Sequence, residues 1–193
     1  MATHTKVGSM YHPISAMTHY RVAYEAKKYS PETIMDIGGV GKLSSFIDVK
    51  EVNNANIAQG RDGCDLSNED NSYDVVTSVS TLEHVKDQVA CVAESVRVCR
   101  KAAVHWYPYG DAAQMLEKYK SSFPLYKHPC IWVDIEELIK GYTNVRHYDY
   151  QSVSECMLLL CTMYPYMNVM PSYDIIREHG HKPYGKIIVI EKE

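Results

Sequence analysis

No run of apolar residues in this chain approaches the roughly 18 needed to cross a bilayer; the longest, around Cys156 to Cys161, stops far short. The first residues, MATHTKVGSMYHP, have no apolar core of the kind a secretory signal carries. A cytoplasmic protein with no membrane span is therefore expected. Charge of one sign is also missing: 20 Lys and Arg stand against 24 Asp and Glu, a net of -4 with no long like-charged block. A nucleic-acid grip built on a basic face, which works by neutralising phosphates, gets no support. The six cysteines, Cys64, Cys91, Cys99, Cys130, Cys156 and Cys161, include no C-x-x-C pair. A closed zinc site or a local redox motif is not expected, nor any other metal centre, and reduced, buried thiols are. Phe and Trp are scarce at two each, whereas Tyr occurs 16 times.

What is present suits one globular domain over residues 1–193, since domains run to roughly 150 residues and 46% of the chain is hydrophobic. Residues 14–28 place Ile14, Met17, Ala23 and Ala26 at loose helical spacing and stop before Ser30-Pro31. Thr33–Ile37 reads as a short strand closed by Gly38-Gly39-Val40-Gly41, and 42–47 can resume as a helix. A second strand fits 49–53, followed by a loop rich in Asn, Gly and Asp. The β-branched run at 73–78 suits a strand buried on both faces. Residues 85–100 carry Val85, Val89, Val92, Ala93, Val96 and Cys99 at three- and four-residue intervals, the best helix signal in the chain. A strand at 102–107 follows, then a helix at 111–120, a loop through Lys127-His128-Pro129, a helix at 134–140 capped by Gly141, and strands at 144–153 and 186–191. Alternating strands and helices predict an open, mostly parallel α/β sheet, whose ligands bind at the carboxyl ends of the strands.

A glycine turn between a strand and a helix brings backbone N-H groups close to a polar or anionic ligand. The dinucleotide pattern G-x-G-x-x-G is absent, because the glycines are Gly38, Gly39 and Gly41, and Gly41-Lys42 is followed by Leu43 rather than the Ser or Thr of a phosphate loop. Taken alone, the turn is equally a tight strand-helix connection that binds nothing.

Three segments carry more. TIMDIGGVGKLS from Thr33, QGRDGCDL from Gln59 and NSYDVVTSVSTLEHV from Asn71 resemble, in order and spacing, the class I S-adenosylmethionine-dependent methyltransferases. The Leu82-Glu83-His84-Val85 stretch is the most specific, being similar to the family's fourth-strand motif, and KIIVIEKE looks like its antiparallel last strand. The resemblance implies a Rossmann-like, doubly wound, seven-stranded sheet, mostly parallel with an antiparallel last strand. The cofactor half would span about residues 30–107, and acceptor-side elements about 1–29, 108–133 and 154–183. It also implies S-adenosyl-L-methionine as cofactor. Asp36 would organise the turn and reach the methionine end. Gly38, Gly39 and Gly41 would admit the methionyl and ribose portions, Asp62 and Gly63 would read the adenine, and the Ser78 carbonyl would meet the methionine amino group. Two departures stand out: G-G-x-G replaces G-x-G-x-G, and Asn53 stands where the family has a ribose-binding acid, with Glu51 the alternative two residues earlier.

Methyl transfer is an in-line displacement on an activated sulfonium, so alignment matters most and a general base is optional. His84 is the first candidate for that base; capping and orienting the following helix is the equally good structural reading. His105 falls inside a strand and reads as a core histidine. His128 and Trp132 suit substrate contact, as do Tyr107 and Tyr109, since a tyrosine offers an apolar ring with a hydroxyl at its end. The chain using Tyr for Phe at partly exposed positions explains many of the others. The function expected is methyl transfer to an oxygen or nitrogen of a small-molecule or glycan-like acceptor. A catalytically inactive scaffold with the same fold is the alternative, and a second copy of the chain as partner stays open.

Overall fold

The computed structural model describes residues 13–110, 131, 133–152 and 181–193. The expected helix at 111–120, the candidates His128 and Trp132, the cysteines Cys130, Cys156 and Cys161, and nearly all of 154–183 lie outside the described residues. A first helix α1 (Pro13–Lys27) leads into strand β1 (Thr33–Ile37), followed by β2 (Glu51–Ala55), β3 (Tyr73–Val79), α2 (Gln88–Val98), β4 (Cys99–Pro108), α3 (Ile135–Leu138), β5 (Val145–Ser152) and β6 (Pro183–Glu191). They build one sheet in the order β2-β1-β3-β4-β6-β5. The first four strands run parallel, and β6 lies antiparallel between β4 and β5.

Both faces of the sheet are covered, which is why its central strands read as continuous apolar runs. Val22, Ala23 and Ala26 of α1 pack with Ile34, Val75, Val104, Trp106, Ile187 and Val189 on one face. Cys91, Val92 and Val98 of α2 pack with Met35, Val76, Ala103, Tyr107, Ile188 and Ile190 on the other. Successive residues of each strand alternate between the two clusters, as the two-residue period of a strand requires. Asp87 caps α2 by accepting from the Ala90 N-H at 2.9 Å, and the Lys192 ammonium collects the carbonyls of Val96, Arg97 and Cys99 at the helix's other end.

Among the described residues the sheet has six strands, and two expectations are corrected. Residues 56–72, between β2 and β3, hold one short 3-10 turn (Ile57–Gln59) and polar side chains that bond locally, such as Arg61 to the Asn54 carbonyl and to Asn68, so β2 is left at the edge. The segment after the glycine turn forms only a single 3-10 turn (Leu43–Ser45). Residues 38–50 must cross back to start a parallel neighbour, a connection that takes a dozen or more residues, and so few leave no room for a full helix. The stripe α2 buries is Gln88, Cys91, Val92, Ser95 and Val98, while Val89 is 41% exposed, because the helix starts at its Asp87 cap and leaves Val85 outside. No helix among the described residues is long and apolar enough to cross a membrane.

One polar cluster ties α1 to the far edge of the sheet. Glu25, fully buried, accepts from Arg146 at 2.7 Å, from Lys28 at 2.8 Å and from the Tyr148 hydroxyl at 2.8 Å. The Arg21 guanidinium donates to that hydroxyl at 2.9 Å and lies over the rings of Tyr24, Tyr148 and Tyr150. Burial works to raise the Glu25 pKa, but these donors outweigh it and hold the carboxyl at about 2. Part of the tyrosine excess is therefore structural. Glu25→Gln is expected to lower stability by about 2 kcal/mol at neutral pH, since the cations it pairs are only partly solvated. The Glu25 contribution is present above the ordinary carboxyl pKa of 4.5 and is lost as pH falls towards about 2. Urea unfolding at pH 7 and pH 3 should accordingly separate variant from parent at pH 7 and narrow the gap between them at pH 3.

Candidate active site

The carboxyl ends of β1, β2 and β3 open on one crevice, held level by the register that sets Asp36 opposite Asn54 on one side and Thr77 on the other. Beyond β1 the chain turns at Gly38 (φ 73°), whose N-H donates to the Ala55 carbonyl at 2.6 Å. A Cβ at Gly38 would sit 2.2 Å from Thr81 Oγ1, and that hydroxyl is anchored to the carbonyls of Ile37 and Val79 at 3.1 Å each. A Cβ at Gly39 would lie 2.2 Å from Asp36 Oδ2. The turn is closed from β2: Asn54 Oδ1 accepts from the Gly41 N-H at 3.2 Å, and Asn56 Nδ2 donates to the carbonyls of Gly38 and Gly39 at 3.3 and 3.4 Å.

Two hollows flank this turn and share Gly38 and Ser80. The larger, about 460 Å³, is lined among others by Ile37, Asn56, Asp62, Gly63, Thr81 and His84. The smaller, about 210 Å³, is lined by His19, Asp36, Gly39, Val40, Lys42 and Val79 with the shared pair. Asp36 is 1% exposed. Its Oδ1 accepts from Thr77 Oγ1 at 2.8 Å, whereas Oδ2 has no hydrogen-bond partner among the described residues. Burial raises this carboxyl to about 7, against the smaller lowering by Thr77. A buried acid poised near neutrality beside a backbone cradle marks a binding site more than a structural pair.

Of the residues singled out from sequence, Asp36, Gly38, Gly39, Asp62, Gly63 and His84 line these hollows. Gly41, at φ 82°, completes the turn. Asp62 Oδ1 accepts from the Cys64 N-H at 2.9 Å, and Gly63 is wedged so tightly that a Cβ would meet Ile37 at 2.4 Å. His84 stands at the mouth of the larger hollow, its Nε2 3.7 Å from the buried Glu83 carboxylate.

Four candidates sit elsewhere. Asn53 points away from the crevice, its amide donating to Glu51 at 2.6 Å and to the Tyr73 hydroxyl at 3.3 Å, which takes Glu51 out as well. Because side chains alternate along β2, the crevice receives Asn54 and, just past the strand, Asn56. Ser78 is fully buried and bonded to His105 Nδ1 at 2.8 Å; β3 runs on to Val79, and it is Ser80, with φ 51°, that reaches the crevice. His105 is the core residue expected, pushed down to about 4 by burial and so neutral. Tyr107 is wholly buried, its hydroxyl paired with Gln88 and with the backbone of Val133, so it organises the core rather than a substrate pocket. Tyr109 is half-buried beside Lys186, its hydroxyl 3.3 Å from Asp134, and lines neither hollow.

Residues 44–106 match the family model described as a methyltransferase domain. No curated protein matches the chain in sequence. Among solved structures it is similar to a Thermotoga maritima protein described as an SAM-dependent methyltransferase, possible histamine N-methyltransferase, with TM-score 0.61 and 17% identity over 94% of this chain and 91% of that one. It is also similar to Haemonchus contortus phosphoethanolamine N-methyltransferase 2 in complex with S-adenosyl-L-methionine, at TM-score 0.56 and 13% identity, covering 96% of this chain and 59% of that one. Synechocystis magnesium protoporphyrin IX methyltransferase with bound S-adenosylhomocysteine follows at 0.54 and 12%, covering 94% and 84%. The fold is that of the class I S-adenosylmethionine-dependent methyltransferases, with the antiparallel last strand that the sequence implied.

Proposed function

We propose that the chain is an S-adenosylmethionine-dependent methyltransferase that transfers a methyl group to an oxygen or nitrogen of a small-molecule acceptor. The observation that carries this reading is the buried Asp36 carboxylate, whose unpartnered oxygen faces the Gly38-Gly39 cradle where two hollows meet. A cationic amine is the partner such an oxygen suits, and the glycines keep Cβ atoms out of its way. The larger hollow fits an adenosine, with Asp62 and the Gly63 backbone to read the base and Asn56, in place of Asn53, beside the ribose. The smaller hollow fits a methionyl group between Asp36 and Lys42. When bound, the sulfonium supplies a methyl group already activated for in-line displacement. The chain's own task is then to orient the two reactants and exclude water.

His84, at the mouth of the larger hollow with the Glu83 carboxylate behind it, is the group to take a proton from the acceptor. His84→Ala is expected to lower kcat by about a hundredfold while the Kd for S-adenosylhomocysteine changes by less than about threefold. Equal losses in both would mark His84 as a cap of the turn and not a base.

A further inference from the structure

The cofactor-side loop carries a thiol pair that sequence spacing hides. Cys64 directly follows Gly63, where a Cβ would stand 3.3 Å from the Sγ of Cys91, 27 positions further on in the first turn of α2, and the two thiols share a hydrogen bond. Cys64 is half-buried and Cys91 fully so. Cys64 Sγ also lies 3.2 Å from the carbonyl of Asp87, the cap residue, which places it at the N-terminal end of an 11-residue helix. Both cysteines are reduced. We propose that Cys64 and Cys91 are a reversible oxidation site for hydrogen peroxide, and that closing their disulfide releases the Asp62-Gly63 segment from the crevice.

Roles divide between the two thiols. Cys91's hydrogen bond holds Cys64 below the usual thiol range, with the Asp87 backbone adding to it against some burial. The same bond, together with burial, pushes Cys91 well up. The accessible, more acidic thiol is therefore the attacking one, and the buried thiol resolves. The Cys64 thiolate attacks the peroxide O-O bond, forming an S-O bond and expelling hydroxide, which the proton lost from Cys64 converts to water. Cys91 sulfur then displaces the sulfenic oxygen: the S-S bond forms, the S-O bond breaks, and the oxygen leaves as a second water with the Cys91 proton. Two thiols and one peroxide give one disulfide and two waters.

The link to the crevice is mechanical. Two sulfurs in van der Waals or hydrogen-bond contact must close to about 2.0 Å to bond. The Cys64 N-H is held by Asp62 Oδ1, and Gly63 has no slack, since the position of its missing Cβ lies 2.4 Å from Ile37 Cγ2 and 3.3 Å from Cys91 Sγ. Pulling Cys64 towards Cys91 moves Asp62 and Gly63 with it. The effect on ligand binding rests on the proposed cofactor reading, whereas the disulfide does not.

The test treats the reduced full-length chain with hydrogen peroxide, maps its peptides by mass spectrometry without reductant, and titrates S-adenosylhomocysteine before treatment, after it and after dithiothreitol. The expected result is a peptide linked through Cys64 and Cys91, an affinity lowered at least about tenfold and recovery on reduction. Cys64→Ser, at the half-buried position, and Cys91→Ala should keep their affinity through peroxide. Oxidation that never links these two cysteines, or a link that leaves affinity unchanged, overturns the proposal. A link forming in a chain that binds no S-adenosylhomocysteine even when reduced supports the oxidation site and overturns the cofactor reading, and the coupling with it.

Discussion

Asp36→Asn is expected to weaken S-adenosylhomocysteine binding at pH 8 by about a hundredfold, equivalent to about 2.7 kcal/mol, while making the unliganded protein more stable. Both halves follow from one buried oxygen. In the free protein the carboxyl is 1% exposed, has one donor in Thr77, and is raised from 3.8 to about 7. A raised acid favours its protonated form in the fold, so its contribution to stability is full below about pH 4 and is lost as pH climbs towards 7. At pH 8 the parent carries that penalty, at most about 4 kcal/mol, and an asparagine of the same shape does not. A rise in Tm of roughly 5 °C at pH 8 is expected, shrinking towards pH 4. Ligand binding runs the other way, because the ammonium of the methionyl group stabilises the ionised carboxylate. Parent affinity should therefore increase with pH up to about 7 and level off above it, and the variant should show no such rise. A variant that binds as tightly as the parent would remove Asp36 from the site.

Gly38→Ala carries the second large effect. At φ 73° an L-residue is strained by about 1–2 kcal/mol, and the added methyl would stand 2.2 Å from Thr81 Oγ1 and 2.6 Å from its Cγ2. Thr81 cannot swing aside freely, since its hydroxyl donates to the carbonyls of Ile37 and Val79 and so ties the end of β1 to the turn after β3. The expected loss is about 3 kcal/mol of stability, with ligand affinity lost as well because both hollows share Gly38. Gly38→Ala combined with Thr81→Ala should recover more stability than the two single changes predict by addition, since they meet at one contact. Strict additivity, measured by urea unfolding, would show that the strain lies in the backbone alone.

The sheet was legible because its strands are short, buried on both faces and punctuated by turn residues. Thr33–Ile37 and the run from Tyr73 needed nothing beyond apolar content and a closing turn. What escaped was register. Asn53 lies one residue short of Asn54 and Ser78 two short of Ser80, because sequence patterns do not show how far a strand runs before it turns; Ala55 ends β2 and Val79 ends β3. Asn56, Ser80 and Thr81 were missed for the same reason, although the polar stretch after each apolar run was the signal that could have found them. His19 and Lys42 come from α1 and from beyond the glycines, and only the tertiary fold brings them to Asp36. Tyr107 misled because a tyrosine at a strand end suits a pocket or a core equally well, and only the partners of its hydroxyl decide.

Calorimetric titration of the reduced, full-length chain with S-adenosylhomocysteine at pH 8 tests the central claim most directly. One site per chain with a Kd of about micromolar order is the predicted result. No heat of binding with ligand at millimolar concentration would contradict it.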